Sequence, residues 1–429
     1  NTENTLVYFE KKGYSVIGGQ GTVKYLVGMC RFPKDRGGKF MKKRNFAKAM
    51  LVVACSASLA ACSSSGNNET SEATTAAETT TEAETTTAAE TTEAETEAPS
   101  GPMELKIGQV EGAAHGDKCF TVATAVVDAN DTIIAAYIDE FQFLDAEQEG
   151  VPNSEAFVTA GSVAEGQVLG SKRKNDNYYS EMMEKSGATM MISSNFDEIQ
   201  AFAAGKTIAE LEELAGKSSE EVLDAVSSAT LVDTPGYLGV IADAAKAAKE
   251  NESVVYEGDR DNLLLNMDTF AAHGDKCFTV AASLNDGETV ILSYLDEFQF
   301  LDGEQEGVPN SDAFTEAGSI LDGKVLGSKR VNNTYYSENM KNAGATMEIA
   351  ANFDAIQEFV NGKTLMELEE LVAANYVSEE EETEAAADEG GADDRTALEE
   401  SEGEEADAIS GATLADKWGY VAAILNSIG

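Results

Sequence analysis

The feature that most constrains this chain is a long internal repeat. Ala114-His115-Gly116-Asp117-Lys118-Cys119-Phe120-Thr121-Val122-Ala123 returns as Ala272-His273-Gly274-Asp275-Lys276-Cys277-Phe278-Thr279-Val280-Ala281. Asp139-Glu140-Phe141-Gln142-Phe143-Leu144-Asp145 returns at Asp296–Asp302, Gly150-Val151-Pro152-Asn153-Ser154 at Gly307–Ser311, and Val168-Leu169-Gly170-Ser171-Lys172-Arg173 at Val325–Arg330. Each unit is far longer than a solenoid repeat. It has the length of a domain, so each copy should bury a core of its own. The chain reads as a tandem duplication, with units at 104–250 and 251–429.

Within a unit, strand patterns precede helix patterns. Phe120–Val127 and Thr132–Tyr137 read as a hairpin about Asp128-Ala129-Asn130-Asp131, and Phe278–Leu284 with Thr289–Tyr294 repeats it. Tyr178–Lys185, Asp197–Ala204, Ile208–Leu214 and Glu220–Ala225 follow as short helices, with Asn195 and Asp197 as candidate caps, and then a longer amphipathic helix, Gly236–Lys249. This order predicts an α+β fold: two tandem units, each an antiparallel sheet followed by short helices. No Gly-x-Gly-x-x-Gly loop is present, which argues against a Rossmann site. The second unit also carries a like-charged stretch at about 377–405, including Glu379-Glu380-Glu381-Glu382, expected to be a disordered surface insertion.

Ahead of the repeats, Met41-Lys42-Lys43-Arg44 and the apolar run Ala49–Cys55 lead to Leu59-Ala60-Ala61-Cys62. Residues 41–61 resemble a bacterial lipoprotein signal peptide, which implies cleavage before Cys62 and a diacylglycerol thioether on it. Residues 1–40 are then expected to be a mis-called upstream extension. The apolar run is too short to span a bilayer. Residues 62–103 are mostly Thr, Glu, Ala and Ser, a composition that cannot bury enough apolar surface to fold. As a tether, about 40 such residues span on the order of 35 Å.

Net charge is −47 over the sequence; without residues 1–61, 19 Lys/Arg face 74 Asp/Glu. No basic face remains to neutralise phosphates, so nucleic acid is not expected as a partner. Beyond Cys62 only Cys119 and Cys277 remain, at equivalent places, which argues against a disulfide framework.

The chemistry sits in a second repeated string. Asp224-Ala225-Val226-Ser227-Ser228-Ala229-Thr230 recurs as Asp407-Ala408-Ile409-Ser410-Gly411-Ala412-Thr413, each ahead of a helix-like segment. Small residues around a threonine open its hydroxyl to a bulky reagent, and a following helix turns free N–H groups toward an anion. Ser and Asp are also ordinary helix N-caps, so two plain helix starts are the competing reading. Ser186-Gly187-Ala188-Thr189 looks similar, but Met183 replaces the aspartate and its counterpart Ala343-Gly344-Ala345-Thr346 lacks the serine, so it is read as structural.

The pattern Asp-x-x-Ser-(Gly/Ser)-Ala-Thr resembles the flavinylation motif of the covalent FMN-binding domain family. The chain from about Gly112 onward resembles the tandem FMN-binding lipoproteins of Gram-positive extracellular electron transfer, the pheromone-encoding lipoprotein type. The resemblance implies FMN in phosphoester linkage to Thr230 and Thr413, with Asp224, Ser227, Ser228, Asp407, Ser410 and Gly411 completing the two motifs. It implies attachment by a flavin transferase at the extracellular face of the membrane. It further implies electrons from a membrane quinol or NADH-dehydrogenase donor, passed to extracellular acceptors such as ferric iron. Ser228 departs from the commoner glycine and puts Thr230 in more question than Thr413. The alternatives are an FMN-dependent extracellular reductase and a surface-binding or adhesion lipoprotein without flavin.

The two histidines, His115 and His273, stand four residues before Cys119 and Cys277. These four are candidates for the flavin's surroundings, where imidazole or thiol tunes the ring. A metal is not expected, because a tetrahedral site needs four ligands and no second pair is near in sequence. Phe141, Phe143, Tyr178, Tyr179, Phe298, Phe300, Tyr335 and Tyr336 are read mainly as core, with stacking on a flavin as the second option. Lys172-Arg173 and Lys329-Arg330 read as phosphate holders or as solvated surface pairs.

Overall fold

The computed structural model describes residues 101–226, 229–342, 344–376, 409 and 411–428. The signal-peptide reading, Cys62, most of the tether and the acidic stretch at 377–405 lie outside the described residues. No helix among the described residues is long and apolar enough to cross a membrane.

The first repeat runs β1 (Met103–Gly112), β2 (Cys119–Asp128), β3 (Ile133–Asp145), α1 (Ser154–Thr159), β4 (Gln167–Ser171), α2 (Asp176–Lys185), α3 (Ile192–Ala203), α4 (Ile208–Ala215), α5 (Ser219–Ala225) and α6 (Thr234–Lys249). The second runs β5 (Val254–Tyr256), a 3-10 turn, β6 (Leu264–Phe270), β7 (Cys277–Asn285), β8 (Val290–Asp302), α7 (Ser311–Glu316), β9 (Lys324–Ser328), α8 (Asn333–Asn342), α9 (Ile349–Val360), α10 (Leu365–Asn375) and α11 (Lys417–Asn426). The fold is α+β, as the order of patterns predicts, with two antiparallel sheets ordered β4-β3-β2-β1-β5 and β6-β7-β8-β9. Strand β5 follows the repeat boundary in sequence yet extends the first sheet, pairing Met103 with Tyr256.

Both faces of each sheet are covered, because successive strand residues point to opposite sides. From β2, Ala123, Ala125 and Val127 pack under α3, α4 and α6. Their neighbours Phe120 and Val122 face the other sheet, joining Phe141, Phe278 and Phe298. The second repeat packs Ala281, Leu295, Phe353, Tyr420 and Ile424 in the same manner. The layers are thus helices, sheet, sheet, helices. Each helix-facing core belongs to one repeat and the middle layer to both. Double coverage explains why β2 is buried almost throughout and shows no apolar–polar alternation.

The contacts across the middle layer are reciprocal. Phe120 meets Phe298 at 6.1 Å and Phe141 meets Phe278 at 6.2 Å between ring centroids. Phe157 lies edge-on to Phe300 and Phe143 edge-on to Phe314. Such exchange of equivalent contacts is the mark of an isologous interface, here within one chain. The aromatic rings Phe141, Phe298 and Phe300 are therefore core, consumed by sheet-to-sheet packing.

Several helix starts are set by local chemistry. Thr207 with Glu210, Ser218 with Glu221 and Thr364 with Glu367 form capping boxes, each satisfying otherwise free N–H groups. The sequence reading of Asn195 and Asp197 as caps is corrected: α3 begins at Ile192, and Asn195 lies inside it, fully buried.

Candidate functional site

Thr230 and Thr413 are both exposed, on the short segments that lead into α6 and α11. Each is held from behind by a buried asparagine of the repeat's third helix. Asn195 Oδ1 accepts the Thr230 backbone N–H at 2.7 Å and its hydroxyl at 3.1 Å. Asn352 Oδ1 does the same for Thr413 at 2.6 and 3.3 Å. The amide orientation follows from its partners, since Asn195 Nδ2 donates to the Met191 carbonyl at 3.0 Å and Asn352 Nδ2 to that of Glu348 at 2.9 Å. With its proton directed inward, each Thr Oγ keeps its lone pairs outward.

Gly411 has φ +113°, a conformation that L side chains rarely adopt and glycine takes without cost. Asp224 is exposed in the last turn of α5, at the end of a helix and not at the start of one. Ser227, Ser228, Asp407 and Ser410 lie outside the described residues. The helices after the motifs begin at Thr234 and Lys417, with Asp233 and Asp416 in the N-cap positions.

Those N-cap aspartates meet the histidines. His115 Nδ1 lies 2.7 Å from Asp233 Oδ2, and His273 Nδ1 2.5 Å from Asp416 Oδ2. The hydrogen bond from His273 holds the Asp416 carboxyl below its ordinary range. The histidine loops also press against the helices themselves. A Cβ on Gly236 would overlap the Ala114 carbonyl, and one on Gly419 the Ala272 carbonyl, so glycine is required for this approach.

Beneath each histidine loop lies a buried polar network. Glu140 and Lys172 form an ion pair at 0 and 1 % exposure. The Glu140 carboxylate also accepts the Thr121 hydroxyl at 3.1 Å and the Tyr237 hydroxyl of α6 at 3.1 Å. Glu297, Lys329, Thr279 and Tyr420 reproduce this arrangement. Burial by itself disfavours the Lys172 ammonium, but the Glu140 charge outweighs it and holds the group above its ordinary value. The reading of Lys172-Arg173 and Lys329-Arg330 as solvated pairs or phosphate holders is corrected. Lys172 and Lys329 are interior, and Arg173 and Arg330 bind the Ile138 and Leu295 carbonyls and the Asp197 and Asp354 carboxylates.

Cys119 and Cys277 are buried, each donating its S–H at 2.9 Å to the carbonyl of His115 or His273. Burial and then the Glu140 charge push the Cys119 thiol up to about 12, and burial and then the Glu297 charge raise Cys277. Among the described residues no cluster of His, Cys, Asp and Glu is arranged to hold a metal. Tyr179 and Tyr336 cover the lysines, with Nζ 4.4 and 4.2 Å from the ring centroids. Tyr178 and Tyr335 are half-buried on the outer side of the same helices.

The structure therefore brings motif threonine, N-cap aspartate, histidine loop and buried cysteine into one connected wall in each repeat. Sequence reasoning missed the Asn195 and Asn352 supports and the two Glu–Lys–Tyr networks. The available signal was the retention in both copies of a Lys-Arg pair directly after a strand in an acidic chain. No protein-family model, curated protein or solved structure matches the chain.

Proposed function

We propose that this chain is an electron carrier with FMN joined by phosphoester bonds to Thr230 and Thr413. The observation that carries the reading is the treatment of the two threonines, each exposed yet fixed at N–H and Oγ by a buried asparagine. A hydroxyl that an external enzyme is to esterify must be reachable, fixed in place and left with an outward lone pair, and both meet these demands. Each hydroxyl lies on the segment that leads into a helix start, where N–H dipoles favour an anion, and the aspartate at that start is paired with His115 or His273. Thr230 and Thr413 would carry the phosphate, with Asn195 and Asn352 holding their backbones.

Bound there, FMN would take electrons in pairs and release them singly, which is the chemistry of a carrier. On this reading the threonyl Oγ–H bond is replaced by an Oγ–P bond as the P–O–P anhydride bond of a flavin dinucleotide donor breaks; the nucleoside monophosphate half leaves and the flavin transferase accepts the proton. Cys62 would be the lipid anchor, and residues 62–103 the tether that gives the repeats reach at the extracellular face of a Gram-positive membrane. Electrons would come from a membrane quinol or NADH-dehydrogenase system and leave to acceptors such as ferric iron.

The test is intact-protein and peptide mass spectrometry after coexpression with a flavin transferase. Wild type is expected to gain two FMN masses, and Thr230→Ala and Thr413→Ala one each. No added mass on wild type would overturn the covalent-flavin reading and leave a surface-binding lipoprotein in its place.

A further inference from the structure

The loop that meets the segment after each motif threonine is gripped by the opposite repeat. Asn153 donates from Nδ2 to the Gly274 carbonyl at 2.8 Å and the Cys277 carbonyl at 2.7 Å. Asn310 returns the contact, donating to Gly116 at 3.0 Å and to Cys119 at 2.7 Å. Both asparagines hold a left-handed backbone, at φ 68° and 69°, as the residue preceding α1 or α7. Asparagine is among the few residues that tolerate this conformation. Pairing of the following loops adds to the grip: Ala164 N–H binds the Ser319 carbonyl at 3.1 Å, and Leu321 N–H the Ser162 carbonyl at 3.1 Å.

The gripped loop is also held at both of its ends. At its front, His273 binds Asp416 and Ala272 packs against Gly419, which join it to the segment carrying Thr413. At its back, Cys277 donates to the His273 carbonyl. Between them, Asn153 of the first repeat ties down both the Gly274 and the Cys277 carbonyls. The chain of contacts from Asn153 to the Thr413 segment is therefore continuous, and the one from Asn310 to the Thr230 segment is its mirror.

We infer that Asn153 is a positioning residue for the Thr413 site and Asn310 for the Thr230 site, so that each attachment site is completed by the other repeat. This rests on the flavin-carrier reading for its consequence, though not for its geometry. Each repeat alone would leave its histidine loop without two of its hydrogen bonds. Loading of the two threonines is thereby tied to correct docking of the repeats, and a disturbance on one side is felt at the far site.

The experiment uses the full chain with Asn153→Gly and Asn310→Gly. Glycine keeps the left-handed backbone accessible and deletes the side chain with its carboxamide donor. Asn153→Asp and Asn310→Asp serve as second variants, retaining shape while replacing the donor by an acceptor. Loading at Thr413 and Thr230 is followed in time by peptide mass spectrometry. The histidine resonances, of which the chain has two, are recorded by NMR on flavin-free protein.

Asn153→Gly is expected to slow loading of Thr413 about tenfold, the worth of two neutral hydrogen bonds, and to leave Thr230 within twofold. Asn310→Gly is expected to do the reverse. The flavin-free spectra should show the His273 signal moved by Asn153→Gly and the His115 signal by Asn310→Gly. Effects confined to the mutated repeat, equal loss at both sites, or unmoved histidine signals would overturn the inference. If wild type takes up no flavin the carrier reading fails, and the crossed histidine shifts still decide the positioning claim.

Discussion

Replacing Lys172 by methionine tests the largest electrostatic commitment in the first repeat. The ammonium and the Glu140 carboxylate are 1 and 0 % exposed, so neither charge is compensated by water. Methionine fills much of the volume and removes the charge. The carboxylate is then left with neutral donors, among them the Thr121 and Tyr237 hydroxyls. Breaking a buried pair on one side costs about 3–5 kcal/mol, because the remaining charge has lost its counter-ion. That is a large part of the 5–15 kcal/mol typical of a folded domain. The assay is urea unfolding at pH 7, followed by far-UV circular dichroism and by the fluorescence of Trp418, the one tryptophan of the sequence.

The double variant Lys172→Met/Glu140→Gln is expected to recover at least half of the loss, since no buried charge remains. The sign of the pH dependence follows from the raised lysine value. Its stabilisation is complete below the ordinary lysine pKa and is lost only as pH climbs through the folded value. The deficit of Lys172→Met should therefore be constant between about pH 6 and 9. Lys329→Met is the internal replicate, paired with Glu297. A cost below about 1 kcal/mol, or a double variant no better than the single one, would refute the reasoning.

Three further outcomes follow from the same geometry. Glu111 lines a cavity of about 170 Å³ with Glu306 and Val308, and burial, then the Asp296 and Glu306 carboxylates, push it up to about 8. The folded chain thus keeps a proton that the unfolded chain has lost, so stability falls as pH rises from about 4.5 to 8. Glu111→Gln should flatten this slope and add on the order of 2 kcal/mol at pH 8.5, a discounted figure because the side chain is half-buried; equal slopes in urea titrations would count against it. In a chain beginning at residue 101, Cys119 and Cys277 should resist a thiol reagent at pH 8 and react at once in denaturant, whereas fast native labelling would contradict their burial. Asn195→Ala should cost about 2 kcal/mol by leaving the Thr230 N–H without its acceptor, and Thr230→Ser should cost almost nothing, both read by thermal and urea unfolding.

What could be read from the residues was whatever depends on local order. The repeated strings, the hairpins about Asp128–Asp131 and Asn285–Gly287, and four of the helices of the first unit follow from patterns spanning a few residues, and the structure contains them. The α+β class followed from their order. The strands outside the hairpins were harder: β4 is five residues long, and β1 carries glycines and a polar face that answers to other elements. Helix starts were misplaced where a side chain served a distant partner, as when Asn195 turned from a supposed cap into the support of Thr230.

The sequence alone determined the two copies, the two candidate threonines and the acidic surface. Only the tertiary structure decided that the copies share one middle layer, that Lys172 and Lys329 are interior, and that Asn153 and Asn310 serve the opposite repeat. The physical reason is the same in each case. A lysine beside an arginine in an acidic chain looks solvated until a carboxylate from another strand meets it in the interior. An asparagine after a proline looks like a turn until a carbonyl from the other half of the chain arrives within 3 Å. Such partners lie up to 194 positions apart, a separation across which no local pattern carries information.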